Sequence, residues 1–363
     1  MPAQHLKPLT SMRFFAAMWV VLYHYWPNLD PHMPAFVSKG YLGVELFFVL
    51  SGFILCHVYL EGAGEGRFKY GSFLWARLAR VYPLHLATLL GVGVMGGAAL
   101  LAGLSIDPNI VSLKALPANL LLLQAWGFAP VAGWNHPSWS ISAEWFAYLC
   151  FPAFAWIAWR LRERPQAAVV GAIALLFGLY AVFQALAGFP LTEATIAWGA
   201  LRIVPCFAYG CAVYLAWRKG AAERAGFAAW GAALTLIAIV AFAVLGAQDA
   251  VIVSLFGLLI LMLAGLANTR APLLSSPLFV WLGEVSYSIY MVCIPWKILF
   301  PNAAQKLLHI ETNHMPVWMW LSFVFMVIPI AGASHHLIER PAREALRALG
   351  NRFGRDKLAA KIA

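Results

Sequence analysis

The chain has 363 residues, of which 62% are apolar and only 11% are charged, and its mean hydropathy is +0.76. A soluble globular domain carries about 25% charged residues, so this composition excludes an ordinary soluble protein and indicates a polytopic membrane protein. The net charge of +10 at pH 7 follows from the basic residues that orient membrane proteins, so the sequence does not call for a nucleic-acid partner.

Apolar stretches divide the chain into about ten predicted membrane spans. These spans are 12–27, 41–60, 81–104, 139–159, 167–188, 196–217, 226–246, 250–267, 279–299 and 316–337. A further apolar stretch, 116–130, is bracketed by prolines and is too short to cross, which favours an interfacial or re-entrant segment. The predicted fold class is an all-α membrane helix bundle. We expect one integral membrane domain, residues 1–345, and a basic cytoplasmic tail, residues 346–363.

The distribution of Lys and Arg predicts that both termini lie in the cytoplasm. With this orientation most of the 25 basic residues fall in cytoplasmic segments, and only a few, such as Lys39 and Lys114, fall outside. An odd number of spans would break this alternation, so ten is favoured. Contact between the basic tail and anionic lipid headgroups is an alternative use of the same charges.

The first predicted span contains a titratable group. Arg13 and His24 stand at R-x10-H spacing with no charge between them, so a helix holds them about 16 Å apart along its axis. His24 then lies in the outer half of the membrane, and Glu45 and Glu144 enter from outside at similar depth. A histidine paired with a carboxylate is the arrangement that general base catalysis needs. A polar network that fastens helices together is the alternative for each residue alone.

Arginines form a second group of candidates. Arg77 and Arg80, at i and i+3 where the third span enters from the cytoplasm, can grip phosphates, or they can be ordinary membrane anchors. Arg202 lies inside the sixth predicted span, where an unpaired guanidinium is costly. We therefore expect Arg202 to face the same cavity as the other candidates.

Several motifs follow one another along the chain. They are R-x10-H ending at His24, 43–53 (GVELFFVLSGF), R-x-x-R ending at Arg80, 137–144 (PSWSISAE), R-x-x-P starting at Arg202, 286–290 (SYSIY) and 338–341 (IERP). In this order they resemble the acyltransferase family 3 integral membrane enzymes. The resemblance implies a ten-span enzyme of the bacterial inner membrane. It implies transfer of an acyl group, commonly acetyl, from cytoplasmic acyl-CoA to a hydroxyl of an extracytoplasmic glycan or lipid-linked glycan.

Together, the residues and the resemblance predict a mechanism. His24 takes the proton of the acceptor hydroxyl, and Glu45 or Glu144 orients its ring. Arg77 and Arg80 bind the phosphates of coenzyme A, and Arg13 assists them or stabilises the oxyanion. The pantetheine arm must then run through a channel between the helices to reach His24. Acyl-CoA is a substrate here, and we expect neither a tightly bound cofactor nor a metal.

A covalent route is the alternative, with the acyl group carried first by His24, Ser142 or Tyr287. The other cavity candidates are Arg202, Tyr290 and Trp139. One departure from the family pattern is Cys293-Ile-Pro295, since members often have His-x-Pro there. The acceptor, the acyl length and the oligomeric state stay open.

Two other function classes fit buried charges. A proton-coupled secondary transporter would use the same histidine, carboxylates and arginine as a relay and binding site. A membrane sensor or scaffold leaves these charges without a role.

Overall fold

The computed structural model describes residues 5–103, 106–268 and 273–350, and every regular element in these ranges is helical. Its α-helices are α1 (Lys7–Tyr25), α2 (Ala35–Ser38), α3 (Gly43–Gly64), α4 (Tyr70–Leu101), α5 (Leu116–Leu120), α6 (Trp139–Leu149), α7 (Phe151–Leu161), α8 (Pro165–Ala187), α9 (Gly199–Arg218), α10 (Ala225–Val244), α11 (Asp249–Gly265), α12 (Pro277–Glu284), α13 (Ser286–Leu308) and α14 (Val317–Ser334). The predicted all-α class is confirmed.

A π-helical segment, His335–Glu339, follows α14 and leads into a terminal helix, residues 340–350. The first residues of the predicted basic tail thus belong to this helix. The rest of that tail, 351–363, and Arg270, one of the predicted cytoplasmic basic residues, lie outside the described residues. The division into one domain and a tail stays a prediction.

Six described helices are long and apolar enough to cross a membrane. They are Ala35–Gly64, Tyr70–Leu101, Pro165–Ala187, Gly199–Arg218, Ala225–Val244 and Val317–Gly350. Two bent pairs, α6 with α7 at 58° and α12 with α13 at 55°, raise the number to eight if each pair is one crossing. The remaining two predicted spans coincide with α1 and with α11, which has 17 residues. Ten crossings and the orientation of the termini stay predictions.

The centre of the bundle is the contact between α3 and α9. A Cβ on Gly52 would collide with the carbonyl oxygen of Phe207, and a Cβ on Gly210 would collide with that of Val49. Small residues allow two membrane helices to approach this closely. Of the apolar window of α9, 72% is buried, against 22% for α8, so α8 lies at the periphery of the bundle.

The stretch 116–130 forms the short helix α5, a turn and a short 3-10 helix, and polar side chains tie it to the rest of the protein. The His85 ring donates through Nε2 to the Asn119 carbonyl at 2.8 Å, and Gln124 Nε2 donates to the Ser138 carbonyl at 3.0 Å. Irregular backbone at membrane depth is tolerated where protein groups satisfy it. The segment therefore has the short, non-crossing form expected from its prolines.

Candidate active site

A cavity of about 380 Å³ lies between α1, α3, α4, α6 and α13. Along α3 its lining runs from Val44 to Val58, which corresponds to about 21 Å of helix. Three guanidiniums, those of Arg13, Arg77 and Arg80, share the lining with a single carboxylate, that of Glu144. The cavity is thus long, narrow and cationic.

The arginines of the cavity have few partners. Among the described residues, none of the ion pairs within 4.0 Å involves Arg13, Arg77 or Arg80. Arg77 donates to the Tyr59 hydroxyl at 3.4 Å and lies over the Tyr59 ring, while its Nε is buried without a hydrogen-bond partner. Guanidiniums that lie close together without a direct ion pair are suited to bind an anion.

The local helix geometry explains how two of these arginines enter the cavity. The sequence placed Arg77 and Arg80 at the membrane entry of the third span, but α4 already begins at Tyr70. Both side chains are therefore inside a continuous helix, less than one turn apart, and they project towards α3 and α13.

Glu144 is anchored at the wall of the cavity. Ser51 Oγ donates to Glu144 Oε1 at 2.8 Å, and the Tyr148 hydroxyl, one turn further along α6, hydrogen-bonds the same carboxylate. Its charge acts on Arg13. Glu144 therefore partly balances the arginines rather than orienting a histidine.

Two tyrosines of α13 close the cavity. Tyr287 donates its hydroxyl to the Val81 carbonyl at 2.6 Å. Tyr290 donates to the Pro137 carbonyl at 2.9 Å and accepts from Ser140 Oγ at 2.8 Å. Both hydroxyl protons are committed, so these side chains fix α13 against α4 and against the start of α6. Tyr287 is consequently a poor candidate for a free nucleophile.

His24 lies beyond the end of the cavity that is lined by Val44, and it is not part of the lining. It is half-buried in the last turn of α1, where the charges that act on its ring are those of Lys297 and His136. Gly43, the first residue of α3, packs against Ala16 of α1. His24 is two turns further along α1, about 12 Å beyond this level.

Cys293, which stands where family members often have histidine, also lies at this level. Tyr25 donates its hydroxyl to the Cys293 carbonyl at 2.6 Å and so ties α1 to α13 next to His24. The Cys293 thiol is fully buried and donates to the Tyr290 carbonyl at 3.1 Å. This cysteine therefore fills a packing position.

The predicted partner of His24 is bound elsewhere. Glu45 forms a buried ion pair with Arg202, which also donates to the Ala194 carbonyl at 2.8 Å. The guanidinium of Arg202 lies 4.5 Å from the centre of the Trp139 ring. The predicted pairing of His24 with Glu45 is wrong, and so is the prediction that Arg202 faces the cavity. Sequence gives the depth of a residue along its helix, but not the helix that it faces.

Two other predicted site residues serve packing. Ser142 Oγ donates to the Leu122 carbonyl at 2.7 Å and accepts from the Ala125 backbone N–H at 3.1 Å, so it fastens the segment after α5. Trp139 is buried against Arg202 rather than exposed to stack on a sugar. Neither residue lines the cavity.

Comparison with known proteins now decides the class. The family model described as "Acyltransferase domain" matches residues 8–336. The chain belongs to acyltransferase family 3.

Several curated proteins are similar over most of the chain. Acyltransferase MdmB of Streptomyces mycarofaciens is 27% identical, over 96% of this chain and 93% of its own length. O-acetyltransferase OatA of Staphylococcus aureus is 24% identical over 94% of this chain, which spans 58% of OatA. Protein 2 in the picA locus of Rhizobium radiobacter is 39% identical over 24% of this chain and 44% of its own length. No solved structure matches the chain.

With these relatives, the protein is an O-acyltransferase embedded in a membrane by several passes. The transporter and scaffold alternatives are thereby set aside.

The structure of this enzyme contains a polar network that sequence reasoning missed. Glu339 is buried, accepts from His335 Nδ1 at 3.0 Å and Ser288 Oγ at 2.8 Å, and lies 3.4 Å from Arg343. Its charge acts on Arg80. The signal was available, since His335 and Glu339 stand at i and i+4 beside the IERP motif. Tyr148, one turn from Glu144, was missed in the same way.

Proposed function

We propose that this O-acyltransferase moves an acetyl group from cytoplasmic acetyl-CoA to a hydroxyl of a carbohydrate or lipid-linked glycan on the outer side of the bacterial inner membrane. The observation that carries the proposal is the cationic cavity, in which three arginines without ion-pair partners surround a passage along α3. With ten crossings and both termini in the cytoplasm, the end of the cavity near Arg77 opens to the inside. An anionic, elongated donor fits this shape and charge.

The arginines bind different parts of the donor. Arg77 and Arg80 lie on one face of α4, near the inner end, and bind phosphate oxygens through bidentate, charge-assisted hydrogen bonds. Arg13 lies deeper along α1, where a guanidinium stabilises the negative charge that develops on the thioester oxygen. The apolar side chains of α3, such as Leu50 and Ile54, contact the pantetheine arm between these two points.

The chemical step takes place between the outer end of the cavity and His24. The acceptor oxygen attacks the thioester carbonyl carbon, a new C–O bond forms, and the C–S bond breaks. His24 accepts the hydroxyl proton and then delivers it to the leaving thiolate, so that free coenzyme A results. The thioester and the acceptor must bridge the interval of about 12 Å along α1 between the Gly43 level and His24. Catalytic hydrogen bonds often form only once both substrates are bound.

Thiol release from acetyl-CoA tests this proposal. Purified enzyme in detergent, supplied with a glycan extract, should release coenzyme A and transfer labelled acetyl to the extract. His24→Gln should insert normally and bind the donor, while turnover falls on the order of 10²- to 10⁴-fold because the hydroxyl loses its base. Comparison of glycans from cells with and without the protein, by the mass of one acetyl group, identifies the acceptor.

His32→Gln is the matched control, because the His32 side chain is 96% exposed in the loop after α1. It should leave turnover unchanged. Unchanged turnover in His24→Gln would remove the base assignment. Acceptor movement across vesicles without cleavage of acetyl-CoA would remove the proposed reaction.

A further inference from the structure

The terminal helix packs onto α4 beside the inner end of the cavity. Trp75 Nε1 donates to the Leu346 carbonyl at 2.7 Å, and a Cβ on Gly350 would collide with the Trp75 indole. Arg343 and Arg347 are i−3 and i+1 to Leu346, and Arg347 is i−3 to Gly350, so they project along the side of the helix that faces α4. The contact through Trp75 therefore holds the terminal helix, with a second pair of guanidiniums, against the helix that carries Arg77 and Arg80.

The charges of these arginines act on one another and are only partly compensated. The charges of Arg343, Arg77 and Arg80 act on Arg347. Of the nearby carboxylates, Glu339 already binds His335, Ser288 and Arg343, and Glu344 binds Arg340 at 2.9 Å. In the part of the chain that the structure describes, Arg347 has no ion pair within 4.0 Å. Like charges held together destabilise a fold unless an anion joins them.

We propose that Arg347, assisted by Arg343, binds the 3′-phosphate of acyl-CoA, while Arg77 and Arg80 bind its diphosphate. The inference rests on the proposed function and extends it to a second phosphate subsite. Coenzyme A carries a diphosphate and a separate ribose phosphomonoester, together about −4 at neutral pH. The two pairs of guanidiniums match this charge and its division into two groups.

The position of each pair of arginines indicates which phosphate group of coenzyme A it binds. Arg77 and Arg80 line the cavity, so they meet the diphosphate, to which the pantetheine arm is attached. Arg347 is exposed outside the lining, at the inner surface, so it meets the phosphate at the far end of the nucleotide. The terminal helix thus acts as one wall of the donor site.

Two donor substrates that differ only in the 3′-phosphate distinguish this subsite from the rest of the donor site. Thiol release is measured with acetyl-CoA and with 3′-dephospho-acetyl-CoA, in neutral detergent and again with anionic lipid added. The wild-type enzyme should show a KM on the order of 10-fold higher for the dephospho donor, because one charge-assisted contact is lost. Arg347→Gln should raise the KM for acetyl-CoA by a similar factor, leave the KM for the dephospho donor unchanged, and keep kcat.

Two variants make the result specific. Arg347→Lys, which retains the charge, should recover part of the discrimination between the donors. Arg340→Gln is the matched control, because Arg340 belongs to the same helix but pairs with Glu344 at the surface, and it should change neither KM.

The outcomes are distinguishable. If the wild-type enzyme releases thiol but Arg347→Gln changes both KM values equally or changes neither, the phosphate subsite is refuted and the proposed function stands. If the effect of Arg347→Gln appears only with anionic lipid and is the same for both donors, Arg347 binds a lipid headgroup and the inference is wrong. If the wild-type enzyme releases no thiol from either donor, the proposed function and the inference both fail.

Discussion

The arginines within the helix bundle form two groups that differ in their partners: Arg202, which is buried, and the half-buried Arg13, Arg77 and Arg80 of the cavity. The predicted orientation puts Arg202 in the outer half, where the Glu45 carboxylate, the Ala194 carbonyl and the Trp139 ring surround its guanidinium. The same predicted orientation puts Arg77 in the inner half, where it has one long hydrogen bond, to a tyrosine, and a buried Nε without a partner among the described residues. The first group is neutralised by a carboxylate in direct contact, whereas the second has three guanidiniums and one carboxylate, that of Glu144, in its lining.

The partners of each arginine distinguish a structural role from a ligand-binding role. The depth of the residue along its helix does not. Both groups are costly to keep in a membrane, and from sequence both are candidates for a site. A buried ion pair holds helices together but leaves no capacity for a ligand. Arginines without carboxylates keep that capacity. The predictions below test whether the two groups separate in this way.

The largest expected effect is on donor binding by the inner group. Arg77→Gln combined with Arg80→Gln removes two charge-assisted phosphate contacts, each worth about 1.5–3 kcal/mol. The KM for acetyl-CoA should rise at least about 100-fold, and the thermal unfolding temperature should not fall. Kinetics of thiol release and unfolding in detergent measure the two quantities on the same preparations. A KM for acetyl-CoA close to that of the wild-type enzyme would contradict the claim that these arginines bind the donor.

The outer group should give the opposite result. Arg202→Met leaves the Glu45 carboxylate buried without its partner, which costs about 3–5 kcal/mol of stability. The unfolding temperature should drop markedly, while any folded enzyme keeps its KM for acetyl-CoA. The double variant Glu45→Leu with Arg202→Met should recover most of the stability, because it buries no charge. Failure of this rescue would mean that the pair serves more than packing.

Glu144 tests the charge balance within the inner group. Glu144→Gln removes the single carboxylate of the cavity lining, so the KM for acetyl-CoA should fall a few-fold. Turnover should stay within about 10-fold of the wild-type value, in contrast to the loss of 10²-fold or more expected for His24→Gln. A loss of turnover as large as that of His24→Gln would instead make Glu144 the general base.

The smallest effect is expected at the surface. Lys219 hydrogen-bonds Glu163 at 2.5 Å in an exposed ion pair, and this contact holds the pKa of the Glu163 carboxyl below its usual value. The contribution of the pair to stability is therefore present at neutral pH and is lost as the pH falls below the usual carboxylate range. Glu163→Gln should change neither unfolding temperature nor KM measurably at pH 7. A clear shift would show that exposed charges matter here as much as buried ones.

The sequence predicts much of this architecture. Each of the ten predicted spans coincides with a helix or a bent pair, because membrane depth forces long apolar runs into helices. Arg77 and Arg80 both line the cavity, and their i, i+3 spacing is visible in the sequence, while their role in donor binding stays a prediction. Membership of acyltransferase family 3 is confirmed by the family match over residues 8–336.

What the sequence could not supply is the rotation of each helix about its axis. Glu45 and Glu144 enter at similar depth, yet one turns towards Arg202 and the other towards the cavity. Apolar residues surround α3 on all sides, so its pattern does not reveal which face is functional. Only residues 346–350 of the terminal helix fall in the predicted basic tail, and the packing of this helix against Trp75, which places Arg347 near the site, is not visible in the sequence.

The most direct test of the account is equilibrium binding of coenzyme A to three purified proteins. These are the wild-type enzyme, Arg77→Gln with Arg80→Gln, and Glu45→Leu with Arg202→Met. The account predicts the same Kd for the first and third proteins, and a Kd at least about 100-fold higher for the second. Equal binding by the first two proteins would contradict the claim that the unpaired arginines of the inner cavity form the donor site.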